Sequence, residues 1–323
     1  MQRPRLDRIL CGGLLLALAA TAPGRARADG PGAAYDPPVG SRWAITSAGH
    51  EERVLAGKTV LSDTTRKEEF TIVGKKPEGW RVDFVLRSYE ASGESKTGAA
   101  GVALFGAVRD VVIHAALDPA GKPQRIENLA EVQAAFDRGF DRMLEVIGDA
   151  QVRAKTRAML QGYLASVTQD PESAAQAFLD DLALFAVAQN TGLKPGEERR
   201  TTEQSPSPFG GDPLKLTSVL RLAEADPAGD KLRYVQTDIF DPVEMKAMTL
   251  AIIQRLGLAE GDSAAEFEKL MKEVSLSMEG GATFEVEHGM TRRVAQDSRF
   301  ALTARGVTVT KHEHIAVTVT PMP

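Results

Sequence analysis

From residue 40 onward the spacing of apolar positions changes several times, and each change marks a new element. Trp80, Val82, Phe84 and Leu86 alternate with Arg81, Asp83 and Val85, the two-residue period of a strand with one face buried. Trp43 to Thr46 and Glu69 to Val73 are further strand-like runs. The turn-forming residues Lys75-Lys76-Pro77-Glu78-Gly79 predict an antiparallel hairpin between the runs on either side. Val108 to Leu117 is a strand candidate, and Asp118-Pro119-Ala120-Gly121-Lys122-Pro123 turns it into another.

At Asn128 the period lengthens to three and four. Leu129, Val132, Phe136, Phe140, Met143, Leu144 and Ile147 form one helical stripe capped by Asn128, and residues 151–167 continue the helical block. Asp170 followed by Pro171 opens a further helix with Phe178, Leu182 and Phe185 on one side, ended by Gly192. Strand candidates then flank the turn Asp226 to Asp230. Asp241-Pro242 opens a helix bearing Met245, Met248, Ile252 and Leu256, and Ser263 with Glu266 makes a capping box for another. Residues 279–288, 292–303 and 307–319 close the chain as strands.

The order β, α, β is visited twice, and Leu193-Lys194-Pro195-Gly196 echoes Pro37-Pro38-Val39-Gly40. The expectation is an α+β fold. A large antiparallel sheet, flat or curved, is covered by helices and built from two halves, 40–192 and 193–323, in a two-fold internal repeat. No strand runs into a Gly-rich phosphate loop, so no nucleotide cofactor is expected.

The start of the chain reads as an address. Arg3, Arg5 and Arg8 precede the uncharged apolar stretch Ile9 to Ala20, and Ala26-Arg27-Ala28 is a small-x-small cleavage pattern. The expectation is a signal peptide over 1–28, cleavage after Ala28, a flexible Gly/Ala/Pro leader over 29–39, and residence in a bacterial periplasm. The single cysteine, Cys11, falls inside that segment. A mature chain would then have no disulfide, no thiolate metal site and no cysteine nucleophile. Removing 1–28 takes away five of the 39 basic and one of the 44 acidic residues, leaving a net charge of −9. Nucleic acid is a poor partner for that balance, and no stable membrane span remains.

Chemistry-bearing motifs are sparse. Lys311-His312-Glu313-His314 places His312 and His314 on one face of a strand, where two imidazoles could meet one Zn²⁺ or Cu²⁺ with Glu285, Glu287 or His288 as a third ligand; a polar solvated face near a sheet edge fits the same pattern. Asp180 and Asp181, adjacent on a helix, point apart and read as solvated surface. His114 reads as a hydrogen-bonded strand histidine, and Ser205-Pro206-Ser207-Pro208 as an extended linker. There is no G-x-S-x-G. Binding is therefore favoured over catalysis, with no cofactor.

Apolar residues say more. Phe136, Phe140, Met143, Phe178, Phe185, Met245 and Met248 lie on the helical stripes and are candidates to line a greasy groove; an ordinary helix-on-sheet core is the alternative. An exported, cysteine-free chain of this layout resembles periplasmic carriers of the lipoprotein-carrier type, and Gly40-x-x-Trp43 with the Asp118 to Gly121 turn resembles elements of secreted bacterial proteins of unknown function. The first resemblance implies a sheet and helices that shield an acyl chain. The leading expectation is an envelope binding protein for an apolar or lipid ligand. Next come an assembly factor that pairs with another envelope protein through a sheet edge, for which 307–319 is the candidate strand, and a metal-dependent enzyme.

Overall fold

The computed structural model describes residues 34–55, 57–93, 102, 105–106, 108–145, 149–205, 214–241, 243, 245, 275–304 and 307–323. The expected signal peptide, Ile147, and the stripe Met248, Ile252 and Leu256 lie outside these residues. So does the helix after Ser263.

The α+β expectation does not hold: one antiparallel sheet of eleven strands dominates the described chain. Its strands are β1 (Arg42–Leu55), β2 (Lys58–Lys76), β3 (Gly79–Gly93), β4 (Val112–Leu117), β5 (Pro123–Ile126), β6 (Glu198–Ser205), β7 (Leu214–Ala225), β8 (Lys231–Phe240), β9 (Ser275–Glu287), β10 (Met290–Ala304) and β11 (Val307–Met322). The spatial order is β5-β4-β3-β2-β1-β11-β10-β9-β8-β7-β6. Both expected halves thus enter a single sheet, joined where β1 pairs with β11 from Arg42↔Met322 to Leu55↔Val309.

Two consequences of this order correct the sequence reading. β11, the candidate edge strand, has β1 on one side and β10 on the other, so it is an interior strand, paired on both sides from Val309 to Thr318. The true edges are β5, four residues opening with a proline, and β6, whose sequence ERRTTEQS was missed as a strand. Short length, proline and charge are the usual devices that keep an edge from recruiting another chain.

Four helices connect those edges: α1 (Leu129–Glu145), α2 (Ala150–Val167), α3 (Pro171–Phe178) and α4 (Asp180–Ala186). α1 begins where expected, but the Asn128 side chain does not cap it. Its Oδ1 accepts from the His114 backbone N–H and its Nδ2 donates to the Val112 carbonyl, tying the helix to β4. Asp170 does cap α3, accepting from the Glu172 and Ser173 amides at 3.0 and 3.1 Å with Pro171 at the first position. The single helix expected after Asp170 breaks at Leu179, where φ is −124° and ψ is 44°.

The short pair α3–α4 plugs the sheet. α3 packs on β5, Arg66 of β2 meets Asp180 and Asp181 of α4, and Thr291 of β10 donates to the Phe185 carbonyl at 2.8 Å. Arg199 of β6 donates to the Val187 carbonyl just past α4. Laid flat, eleven strands would span about 48 Å between edges at ~4.8 Å per neighbour, whereas two helices of eight and seven residues reach only about 12 and 10 Å each. Contact with both edges therefore requires the sheet to curl around the helices. The enclosed core draws Trp43, Ile45, Phe70, Val82 and Phe84 from one flank, Leu222, Tyr234, Phe284, Val294 and Val317 from the other, and Leu179, Leu182 and Phe185 from the helices.

Turns close this end of the sheet. Asp118 and Asp226 each begin an Asp-Pro-Ala-Gly sequence, and each carboxylate accepts a backbone N–H from the start of the next strand, Lys122 and Lys231, at 2.9 Å. The glycines, Gly121 and Gly229, have φ of 83° and 73°, a conformation open to glycine at little steric cost.

Candidate functional site

The face that carries α3 and α4, here the inner face, changes character along the strands. Near the helices it is the apolar core. One register row further out it turns polar across eight strands: Thr201, Ser218, Asp238, Gly280, Ser298, Glu313, Glu51 and Ser62 stand side by side. Beyond that row the same face becomes apolar again on β7 to β10, with Leu216 opposite Phe240 and Phe300 opposite Met278; Lys311 of β11 stands beside Phe300, and one row further Leu302 lies between Leu276 and Val309. Leu216 is buried and the others of this set are half-buried.

The polar row is internally satisfied. Asp238, 7% exposed, accepts from Ser218 Oγ at 2.6 Å and Gln236 Nε2 at 2.8 Å. Gly280 opposite leaves room for it, since a Cβ there would lie 3.3 Å from Asp238 Oδ2. Lys311 bridges Glu51 at 3.1 Å and Glu313 at 3.0 Å, and Arg53 donates to Glu51. All four of these side chains are only 18–23% exposed, so charge is held at the boundary between two apolar zones.

A denser cluster sits where α4 meets β2. Arg66 contacts Glu68 at 3.0 Å, Asp180 at 3.1 Å and Asp181 at 2.7 Å. The reading of Asp180 and Asp181 as solvated surface is corrected: Asp181 is 4% exposed, and the break at Leu179 lets both carboxylates begin a helix aimed at one guanidinium. Burial works against the Arg66 charge, but Asp180, Asp181 and Glu68 outweigh it and hold its proton more tightly than water would. Burial pushes the Glu68 carboxyl well above the usual range; Arg66 pulls it back, and Asp181 and Asp180 push it further up.

A pH dependence follows. Unfolded, Glu68 releases its proton near 4.5; folded, it keeps it to higher pH. The unfolded state then binds fewer protons, so the contribution of Glu68 is complete below that value and declines as pH rises toward the raised folded one. Glu68→Gln, permanently neutral and of the same shape, is expected to flatten this decline and to be more stable than the parent at neutral pH. Urea unfolding at about pH 4.5 and about pH 8 measures it. An unchanged slope in the variant would assign the dependence to another group.

The candidate lining residues do not form one groove. Phe136 stacks against Phe178, ring centroids 4.8 Å apart, and lies 6.5 Å from Phe140. Phe140 and Met143 are buried, and Phe185 belongs to the main core. Met245 packs instead with Phe240, Leu276 and Met278 at the far apolar zone, and Met248 lies outside the described residues. The far zone was missed because its residues are spread over several strands with no helical spacing to announce them.

On the outer face, His312 and His314 project together as expected, but Glu285 of β9 pairs with Arg293, six residues along β10 from the Arg299 opposite His312. In register, His314 stands between His50 and Asp297, and His312 between Glu52 and Arg299. His288 lies instead beside Asp230 at the β9–β10 turn. Among the described residues no group of three or more His, Cys, Asp or Glu is gathered as a metal centre, and no helix is long and apolar enough to cross a membrane. His114, on the same face, bonds Asp83 at 2.7 Å as expected.

No family model and no curated protein matches the chain. Among solved structures it is similar to lipovitellin, described for its lipid–protein interactions, at 10% identity and a TM-score of 0.41 over 88% of this chain and 26% of that one. It is similar also to DynF from the dynemicin biosynthesis pathway of Micromonospora chersina, at 9% identity and a TM-score of 0.19, over 92% of each chain. A third likeness is to an outer membrane channel from Pseudomonas putida F1, at 9% identity and a TM-score of 0.21, over 93% of this chain and 100% of that one. The chain spans about a quarter of the length of lipovitellin, and TM-scores this low carry no argument about fold or function.

Proposed function

We propose that this is an exported binding protein of the bacterial envelope that shelters an amphiphilic lipid on the inner face of its curled sheet. The observation that supports the reading is the banding of that face: a filled apolar core, a polar row, then a second apolar zone around Phe300, Leu302, Leu276 and Met278. A wholly structural sheet face gains nothing from a charged belt set between two apolar zones, because half-buried charges are costly to desolvate. An amphiphile uses both parts, its chain on Phe300 and Met278 and its polar end at the row of Glu51, Lys311 and Glu313. Export is inferred from the Arg-rich start, the apolar stretch Ile9 to Ala20 and the Ala26-Arg27-Ala28 pattern.

Native mass spectrometry of the chain expressed in a bacterial periplasm tests it, with the lipid extracted and identified. The expected result is a bound species of lipid mass and a chain beginning at Asp29. Replacing Phe300 and Met278 together with Asp is expected to lower lipid occupancy about tenfold or more. Both are half-buried and distant from the core around Phe284, so the melting temperature should shift by only a few degrees. Full occupancy in the doubly substituted protein would refute the assignment of the far zone.

A further inference from the structure

Four residues stand in one register row across the centre of the outer face: Asp63 on β2, His50 on β1, His314 on β11 and Asp297 on β10. His50 Nδ1 lies 2.7 Å from Asp63 Oδ1, and His314 Nδ1 lies 3.0 Å from Asp297 Oδ1. An ionised carboxylate only accepts, so each Nδ1 carries the hydrogen, and in the neutral imidazole Nε2 is then the nitrogen with the lone pair. Asp63 and Asp297 flank the pair from opposite sides. Because the two nitrogens of an imidazole face nearly opposite ways, the Nε2 edges are turned toward the seam between β1 and β11. Side chains directly opposite on antiparallel strands have Cβ atoms about 5 Å apart, a span that two imidazoles close around one ion with Zn–N bonds of about 2.1 Å.

We propose that His50 and His314 form a two-imidazole seat for a divalent transition-metal cation of the Zn²⁺ or Cu²⁺ class, oriented by Asp63 and Asp297 and completed by solvent. A carboxylate on the second ring nitrogen fixes the tautomer and orientation and raises the basicity of the ligating one, as is usual for metal-binding histidines. The four side chains are 45–62% exposed, so an ion reaches them from solvent. His114 with Asp83 shows the same hydrogen bond without a second imidazole across from it, which makes it an internal control. The seat lies on the opposite face from the proposed lipid zone and does not depend on it.

The test is calorimetric titration of Zn²⁺ into the untagged protein, paired with the nitrogen hyperfine spectrum of bound Cu²⁺. One strong site with two nitrogen ligands is expected. His50→Ala and His314→Ala should each weaken binding by about 100-fold or more, and Asp63→Asn and Asp297→Asn by about 10- to 100-fold, while His114→Ala leaves it unchanged. These exposed positions should not alter the fold, and thermal melts of each variant verify that. No Zn²⁺ binding by the parent, or binding as strong as the parent's by His50→Ala or His314→Ala, would overturn the proposal.

Discussion

Arg66→Ala is expected to destabilise the protein by about 3–5 kcal/mol, because it strands Asp180 and Asp181, beside the buried Glu68 carboxyl, with no counter-charge. At about 2–4 °C per kcal/mol for a large domain, the melting temperature should fall by roughly 10 °C. The loss would begin at α4, whose first two residues are held to β2 by this guanidinium alone among the described ion pairs. A companion variant separates a stranded charge from lost packing. Arg66→Met, Glu68→Leu and Asp181→Leu together remove the guanidinium and the two most buried carboxylates and leave Asp180, 28% exposed, to solvent, and apolar replacements of buried ion clusters are commonly neutral or stabilising. Recovery of most of the stability in the triple variant is the expected outcome. A triple variant as unstable as Arg66→Ala would mean that the side-chain volume of Arg66, not its charge, is what the site requires.

Gly79→Ala is the second large effect. Gly79 ends the β2–β3 turn at φ 141°, and a Cβ there would lie 2.0 Å from the Leu117 carbonyl oxygen and 2.7 Å from Asp118 C. Both atoms are backbone at the start of the β4–β5 turn, so no side chain can swing aside. The unfavourable φ costs about 1–3 kcal/mol, and the overlap about 1–3 more. Gly40→Ala is the control: its φ is 88°, but a Cβ there meets nothing within 4 Å. The difference between the two variants, measured by denaturant unfolding, isolates the overlap. Equal losses would show that the turns are free to separate.

What the sequence made legible was the end of the sheet packed on α3 and α4. The alternation of Trp80, Val82, Phe84 and Leu86 and the turns at Lys75 to Gly79 and Asp226 to Asp230 sit where strands bury one face against that core. The outer halves of the same strands were invisible. In β1 and β2 the inner positions there are Gly49, Glu51 and Arg53 against Thr64, Ser62 and Val60, so hydrophobic period was lost while the ladder continued. From sequence, β2, 19 residues long, therefore reads as a five-residue run, and a chain dominated by one sheet reads as α+β with a large sheet under helices. Asp180 and Asp181 were misread for another reason: an unbroken helix would have separated them, and the break at Leu179 leaves no mark in local spacing. The partnership of His50 with His314 could not have been read at all. It depends on a register set by the β1–β11 pairing and not by any turn.

That pairing also governs the order in which the fold can be completed. Every other neighbouring pair is made of strands consecutive in the chain, but β1 waits for a partner more than two hundred residues away. Non-local closure of this kind is slow, since chain entropy is lost before the contacts that offset it form. Until β11 arrives, β1 is a 14-residue strand with one row of backbone groups unpaired, the form of surface that recruits a second chain. The folded protein guards its edges at β5 and β6, whereas its most vulnerable edge is a transient one at the middle of the finished sheet. Aggregation during synthesis or refolding is therefore governed by how quickly the central seam closes.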